Sequence, residues 1–294
     1  MKIIITGSDG QLGVELQNII KSGKAELGYI SERILQAELI PLNSLQLDIT
    51  NMSEVEKVLL EEKPDVLINC AAFTNVDGCE SQKDLAYKVN ALGPRNLAIV
   101  CEKIGSKLVH ISTDYIFDGK GKEPIKEYDL ANPQSVYGKT KLVGESYVKE
   151  FCSRYFVIRT SWLYGYSGKN FVYTMMRLGN EKQEINVVND QKGNPTNAND
   201  LGYHILKLIE TTEYGVYHCT GNGECTWYEF AKEIMKIANC ACNVNSCTSS
   251  EFKTVAKRPK YSSLDNMMLR CTIGDSMPNW KDSLKIFIHK VKGE

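Results

Sequence analysis

The 294-residue sequence predicts an α/β protein with a doubly wound parallel sheet and a smaller C-terminal lobe. Three observations predict it. Short apolar runs alternate with stretches of helical spacing through the first half, the pattern of crossover units that cover both faces of a parallel sheet. A Gly-x-x-Gly-x-x-Gly turn at Gly7, Gly10 and Gly13 follows the first apolar run and opens the first helical stretch. After about Arg159 the alternation gives way to helices joined by loops rich in Asn, Gly and Pro. We therefore expect a Rossmann-like nucleotide-binding domain over residues 1–160. A mainly substrate-binding lobe follows over 161–294, with some segments returning to the main sheet.

Residues 2–5 read as a buried strand, and the glycine turn leads into a helix through Leu12, Leu16, Ile19 and Ile20. Residues 24–38, rich in charge and turn formers, read as a surface insertion whose structure the sequence does not define. A second strand is expected over 38–42. A helix over 52–62 follows from apolar Met52, Val55, Val58 and Leu59. Strands are expected at 65–69, 107–112 and 156–159, separated by a long helix over 83–104 and another over 137–150. In the second half, helices are expected over 170–179, 199–210, 226–239 and 280–290, with short strands at 185–188 and 216–219.

The formal net charge of -1 gives no electrostatic reason to expect nucleic acid or an anionic membrane as partner. No apolar stretch approaches the length of a bilayer span, and residues 1–7 lack a signal-peptide pattern, so a cytoplasmic enzyme is expected. The ten cysteines form no Cys-x-x-Cys pair and several sit in apolar runs, which reads as reduced, buried thiols. Cys240, Cys242 and Cys247 are the one spacing that hints at metal; no His accompanies them, and we expect no metal site.

The glycine turn lets backbone approach a pyrophosphate, whose charge faces the positive end of a helix. Such a fold normally ends its second strand on an acid that holds the adenosine ribose. Here Leu42-Asn43-Ser44 offers neither an acid nor a cation for a 2′-phosphate. Asn43 can bond either ribose, and the missing cation favours NADH over NADPH. Asp48 is a candidate for adenine contact or a turn acid. Thr113 lies where the 107–112 strand ends, at the ligand-binding edge. Tyr137 and Lys141 are four residues apart on the next helix, so both side chains face one way. Ketone reduction needs a hydride donor, a proton donor and a group to steady developing negative charge. NADH or NADPH would supply the first and Tyr137 the second. Lys141 would lower the tyrosine pKa and bond the nicotinamide ribose, and Thr113 would orient the carbonyl.

The motifs are more specific than the pair. They include Ile5-Thr6-Gly7-x-x-Gly10-Gln11-Leu12-Gly13, Asn69-Cys70-Ala71-Ala72-Phe73-Thr74-Asn75-Val76-Asp77 and Val89-Asn90-Ala91. Ser112-Thr113-Asp114-Tyr115, Tyr137-Gly138-Lys139-Thr140-Lys141 and Arg159-Thr160-Ser161-Trp162 follow, then Asp190-Gln191-x-Gly193-x-Pro195-Thr196 and Arg258-Pro259-x-x-Ser262-x-Leu264. In this order, over nearly the whole chain, they resemble the dTDP-4-dehydrorhamnose reductase family of extended short-chain dehydrogenases/reductases. The Thr-Asp-Tyr and Arg-Thr-Ser-Trp runs separate that family from sugar-nucleotide dehydratases and epimerases.

The resemblance implies a dTDP-sugar substrate and hydride transfer to its 4-keto group. It implies that Gly10, Gln11, Leu12, Asp48, Ile49, Ala71, Ala72, Phe73 and Thr74 line the cofactor, with Ile111 beneath it. Thr113, Tyr137 and Lys141 would be the catalytic set. Val76, Asp114 and Trp162 would meet the sugar, and Arg258 is a candidate for its diphosphate. Some relatives form a homodimer bridged by magnesium through glutamates. Glu15 matches the first of these, but Asn199 stands where a second carboxylate is required, so we expect no magnesium bridge. Two rivals stay open. One is another nucleotide-sugar reductase or epimerase. The other is a binding partner like the regulatory subunit of some methionine adenosyltransferases, against which the joint presence of Thr113, Tyr137 and Lys141 argues.

Overall fold

A computed structural model describes residues 1–293. Its main sheet contains β1 (Lys2–Thr6), β2 (Glu38–Leu42), β3 (Val66–Asn69), β4 (Lys107–Thr113), β5 (Tyr155–Thr160) and β7 (Gly215–His218). The spatial order is β7-β5-β4-β3-β1-β2, and every pairing is parallel. The remaining strands used below are β6 (Glu184–Val188) and β8 (Asn243–Cys247). The helices are α1 (Gln11–Ser22), α2 (Met52–Glu62), α3 (Gly93–Ile104), α4 (Val136–Phe151), α5 (Phe171–Glu181), α6 (Ala198–Ile209), α7 (Trp227–Ala238) and α8 (Trp280–Lys292).

Strand alternation divides β1 between two cores. Ile3 and Ile5 pack with Leu16 and Ile19 of α1 and with Leu201 and Ile205 of α6. Ile4 packs on the opposite face with Val55 of α2, Leu97 of α3 and Val148 of α4. Burial on both faces explains why these strands read as unbroken apolar runs rather than alternating ones. The chain leaves β1 for β2 on one side and returns to β3 on the other. That reversal opens a crevice at the carboxyl ends of the strands, where sheets of this kind bind ligands. The C-terminal lobe has its own core of Phe230, Ile234, Leu284, Phe287 and neighbours from α5, α7 and α8. The segment 198–218 leaves that lobe to place α6 beneath the main sheet and β7 at its edge.

The structure fills in or corrects three readings. Residues 24–38 are ordered: Lys24–Ala25 and Gly28–Tyr29 form a small antiparallel hairpin, and Ser31 caps a one-turn helix, Glu32–Leu35. The expected continuous helix over 83–104 is interrupted by a π-helical turn, Lys88–Leu92. Asn90 in that turn accepts from the Phe73 N–H through Oδ1 (2.8 Å) and donates to the Phe73 carbonyl through Nδ2 (3.1 Å). The helix widens there as one of its side chains binds the loop after β3, a common use of such turns near functional sites. Finally, β8 was absent from the expected elements. Its sequence, Asn-Val-Asn-Ser-Cys, is too polar to signal a strand, but it pairs in parallel with β6.

Candidate functional site

The first turn of α1 leaves its N–H groups without side-chain partners, an arrangement that can receive an anion. Its N-cap is Gly10, no side chain caps its N–H groups, and its first turn holds no acid. Those N–H groups and the helix dipole therefore face the crevice uncompensated. Gly7 makes the approach possible. Its φ is +66°, and a Cβ there would stand 2.6 Å from the backbone nitrogen of Ala71. Only glycine tolerates both conditions.

From this turn a cavity of about 440 Å³ runs along the ends of β3, β4 and β5. Gly10, Gln11, Leu12 and Gly13 line one end, with Ala72, Thr74 and Val76 beside them. Ile111, Thr113, Asp114, Tyr137 and Lys141 line the middle, and Trp162 the far wall. Seven expected residues lie outside that lining. Gly7 and Ala71 underlie the turn. Asn43 is at the end of β2, bonded through Nδ2 to Asp9 Oδ2 at 2.9 Å. Asp48 is exposed and accepts from the Thr50 N–H, acting as a turn acid. Ile49 is buried in the core, where it closes over Gly93. Phe73 is held by Asn90, and Arg258 borders a neighbouring cleft.

Tyr137 is placed by the start of α4. Ser135 caps the helix by accepting from the Gly138 N–H at 3.1 Å. A Cβ on Gly138 would stand 2.1 Å from the Tyr115 carbonyl oxygen, so glycine lets this turn lie directly on the segment after β4. Tyr115 meets the Tyr137 ring edge-on, with centroids 5.6 Å apart. Thr113 Oγ1 donates to Asp114 Oδ1 at 3.0 Å, and its hydroxyl is near enough to Tyr137 to influence the phenol.

The electrostatics differ from the expectation that Lys141 lowers the phenol pKa. Tyr137 is only partly buried as a residue, yet loss of water around its phenol pushes its pKa well above the ordinary value; the Thr113 contact works the other way. Lys141 is not among the main influences on the phenol, and its amine is engaged elsewhere. Lys141 Nζ donates to the Ile111 carbonyl at 2.5 Å and lies 3.5 Å from His110 Nε2. Burial lowers this ammonium to about 8, against the pull of Glu145. Burial also pushes the Asp114 carboxyl up to about 6, while the neighbouring Ser262 and Thr113 hydroxyls pull the other way.

His110 was not among the expected site residues. Asn69 Oδ1 accepts from the Ala71 N–H and from Thr6 Oγ1, so its amide nitrogen must face His110 Nδ1, at 3.1 Å. That fixes Nδ1 as acceptor and leaves the proton on Nε2, toward Lys141. A lone His inside an apolar strand carries no sequence signal of this role.

Trp162 adopts φ +47°, in the left-handed region that costs a non-glycine residue about 1–3 kcal/mol. Its ring stacks on Trp227 with centroids 3.6 Å apart and planes 8° apart. Trp227, also outside the expected set, lines both the main cavity and a second cleft of about 460 Å³. Phe171, Met175, Ile185, Val187 and Phe252 make that cleft apolar, and Asp77 and Arg258 close one end. Arg258 pairs with Asp77 Oδ2 at 3.1 Å and donates to the Tyr115 hydroxyl at 3.2 Å. The signal for Trp227 was the capping box formed by Thr226 and Glu229, which marks the start of α7 but not which way its first ring points.

A family model described as the RmlD substrate binding domain matches residues 1–292. The chain belongs to that family. A dTDP-4-dehydrorhamnose reductase of Clostridium acetobutylicum ATCC 824 has a solved structure 51% identical to this chain, covering 99% of it and 100% of the relative, with a TM-score of 0.94. A dTDP-4-dehydrorhamnose reductase of Bacillus anthracis str. Ames, solved in complex with NADP, is 45% identical over 98% of this chain and 99% of its own, with a TM-score of 0.92. The spore coat polysaccharide biosynthesis protein SpsK of Bacillus subtilis (strain 168) is 37% identical over 98% of this chain and 97% of its own. Membership of the RmlD family therefore spans both lobes.

The RmlD-family chain also carries a buried ion pair beneath the crevice. Arg159, at the end of β5, meets Glu145 of α4 through Nη2–Oε2 at 2.9 Å and Nε–Oε1 at 3.1 Å. Ser112 Oγ donates to the same carboxylate at 2.5 Å. His218 abuts the guanidinium, and burial together with Arg159 lowers that imidazole to about 3. This network joins the ends of β4, β5 and β7 to the helix that carries Tyr137 and Lys141.

Proposed function

We propose that this protein is a dTDP-4-dehydrorhamnose reductase that converts dTDP-4-dehydro-6-deoxy-L-mannose to dTDP-L-rhamnose with NAD(P)H. One observation carries the reading: the uncapped N-terminus of α1 and the side chains of Thr113, Tyr137 and Lys141 open into a single cavity in a chain of this family. The residues present suit a dinucleotide. The N–H groups of Gln11, Leu12 and Gly13 would hold its diphosphate, and Ile111 would lie under its nicotinamide end. When bound, the reduced nicotinamide supplies the hydride that C4 accepts.

The chain's own residues do the rest. Thr113 orients the carbonyl, and Tyr137 gives its proton to the oxygen as C4 becomes tetrahedral, so the ketone leaves as an alcohol. A phenol held above its ordinary pKa stays protonated through the neutral range, which suits a donor. Lys141, lowered to about 8, is able to take and return a proton near neutral pH. Asp114, Val76 and the Trp162–Trp227 stack would hold the sugar. Arg258, whose buried Nε lacks a hydrogen-bond partner, would reach the diphosphate, and the apolar cleft beside it would take the thymine. The test is oxidation of reduced nicotinamide followed by absorbance, with the dTDP-keto-sugar and each cofactor in turn. Sugar-dependent oxidation is expected. Binding of the keto-sugar without turnover, together with a stoichiometric protein partner, would favour the regulatory alternative instead.

Free thiols throughout the chain suit a reducing compartment, and we place the enzyme in the cytoplasm. No helix of the described residues is long and apolar enough to cross a membrane. If the enzyme dimerises, magnesium is not expected to hold the dimer. Asn199 Nδ2 donates to Glu15 Oε1 at 2.6 Å, so this position places an amide N–H donor where a bridging cation would need a second carboxylate. Light scattering should give one mass with and without chelator; a chelator-sensitive dimer would contradict this.

A further inference from the structure

The acid that β2 lacks at its end is supplied by the glycine turn. Ser8 N–H donates to the Leu42 carbonyl at 3.3 Å, which lays the turn against the last residue of β2. Asp9, next in the turn, accepts from Asn43 Nδ2 at 2.9 Å and from Ser8 Oγ at 3.4 Å. Asn43 is itself fixed. Its Oδ1 accepts from the Leu45 and Gln46 N–H groups at 3.0 and 3.2 Å, and its backbone N–H donates to Gln46 Oε1 at 3.0 Å. With Oδ1 committed to the backbone, the amide nitrogen must face Asp9.

The carboxylate is therefore held at the junction of the glycine turn and the end of β2, where such sheets take the adenosine ribose. Asp9 is exposed, and neither residues 7–13 nor residues 41–50 contain Lys or Arg. We infer that Asp9, positioned by Asn43, makes this protein select NADH over NADPH. The carboxylate accepts hydrogen bonds from the ribose hydroxyls. A 2′-phosphate on that ribose removes one donor and brings a second anion against the first, with no cation from either segment to offset it. The inference rests on the reading of this cavity as a nicotinamide-dinucleotide site.

The experiment measures dissociation constants of NADH and NADPH by calorimetry, without the sugar substrate, at low and at physiological salt. The unaltered protein should bind NADH at least about tenfold more tightly, and salt should narrow the gap by screening the repulsion. Asp9→Ser, at an exposed site, should weaken NADH and strengthen NADPH, lowering the ratio severalfold. Asn43→Ala, which frees the carboxylate, should lower it by less. Equal or tighter binding of NADPH by the unaltered protein, or an unchanged ratio in Asp9→Ser, would overturn the inference while leaving the dinucleotide site intact. Binding of neither dinucleotide would overturn the site reading and this inference with it.

Discussion

Tyr137→Phe is expected to lower keto-sugar reduction by about 10²–10⁴-fold, the usual worth of a positioned general acid. Dinucleotide affinity should stay close to that of the parent, because the ring remains and only the hydroxyl is lost. The expectation follows from the convergence at one point of the cavity. The phenol lies beside Thr113, Thr113 bonds Asp114, and the second phenol of the lining, Tyr115, is engaged by Arg258 at 3.2 Å. Since burial keeps the phenol protonated, the rate in the reducing direction should not fall where an ordinary tyrosine would ionise. Steady-state kinetics of the variant, paired with calorimetric cofactor titration, checks both halves. Near-parental turnover would remove Tyr137 as the donor and point to water or Lys141.

The second large effect is on stability. Glu145→Ala should cost about 3–5 kcal/mol in denaturant unfolding, because it leaves the Arg159 guanidinium buried without its carboxylate. The side chains are 6% and 0% exposed, so solvent cannot replace the lost partner. Ser112 loses its acceptor in the same change. The double variant Glu145→Leu with Arg159→Met should recover much of the loss, since removing both charges also removes the desolvation penalty. A single-variant cost below about 1 kcal/mol would mean that water reaches the pair.

Much of the main sheet was legible from local pattern. The apolar runs of β1, β3, β4 and β5 are buried on both faces, and the helical spacing of Leu12, Leu16 and Ile19 is the face of α1 that packs on the sheet. The glycine turn and Thr113, Tyr137 and Lys141 could be placed at the same edge of the sheet for the same reason. What escaped was anything depending on partners distant in sequence. The π-turn at Lys88–Leu92 exists because Asn90 binds Phe73 across the fold. Trp227 joins the site because a helix from the other lobe brings its ring onto Trp162. β8 is a strand only because β6 lies beside it.

Lys141 shows where the boundary falls. The interval of four residues put its side chain on the Tyr137 face of α4, which is a property of any helix. Where its amine ends up was decided by the Ile111 carbonyl on β4, thirty positions earlier in the chain. The amino-acid order alone thus set the periodicities, the turns and the types of reactive side chain, since these depend on residues within one or two turns of one another. The folded chain alone set the protonation of Tyr137 and Lys141 and the placing of Asp9, because burial and hydrogen-bond partners come from segments that meet only when the sheet closes.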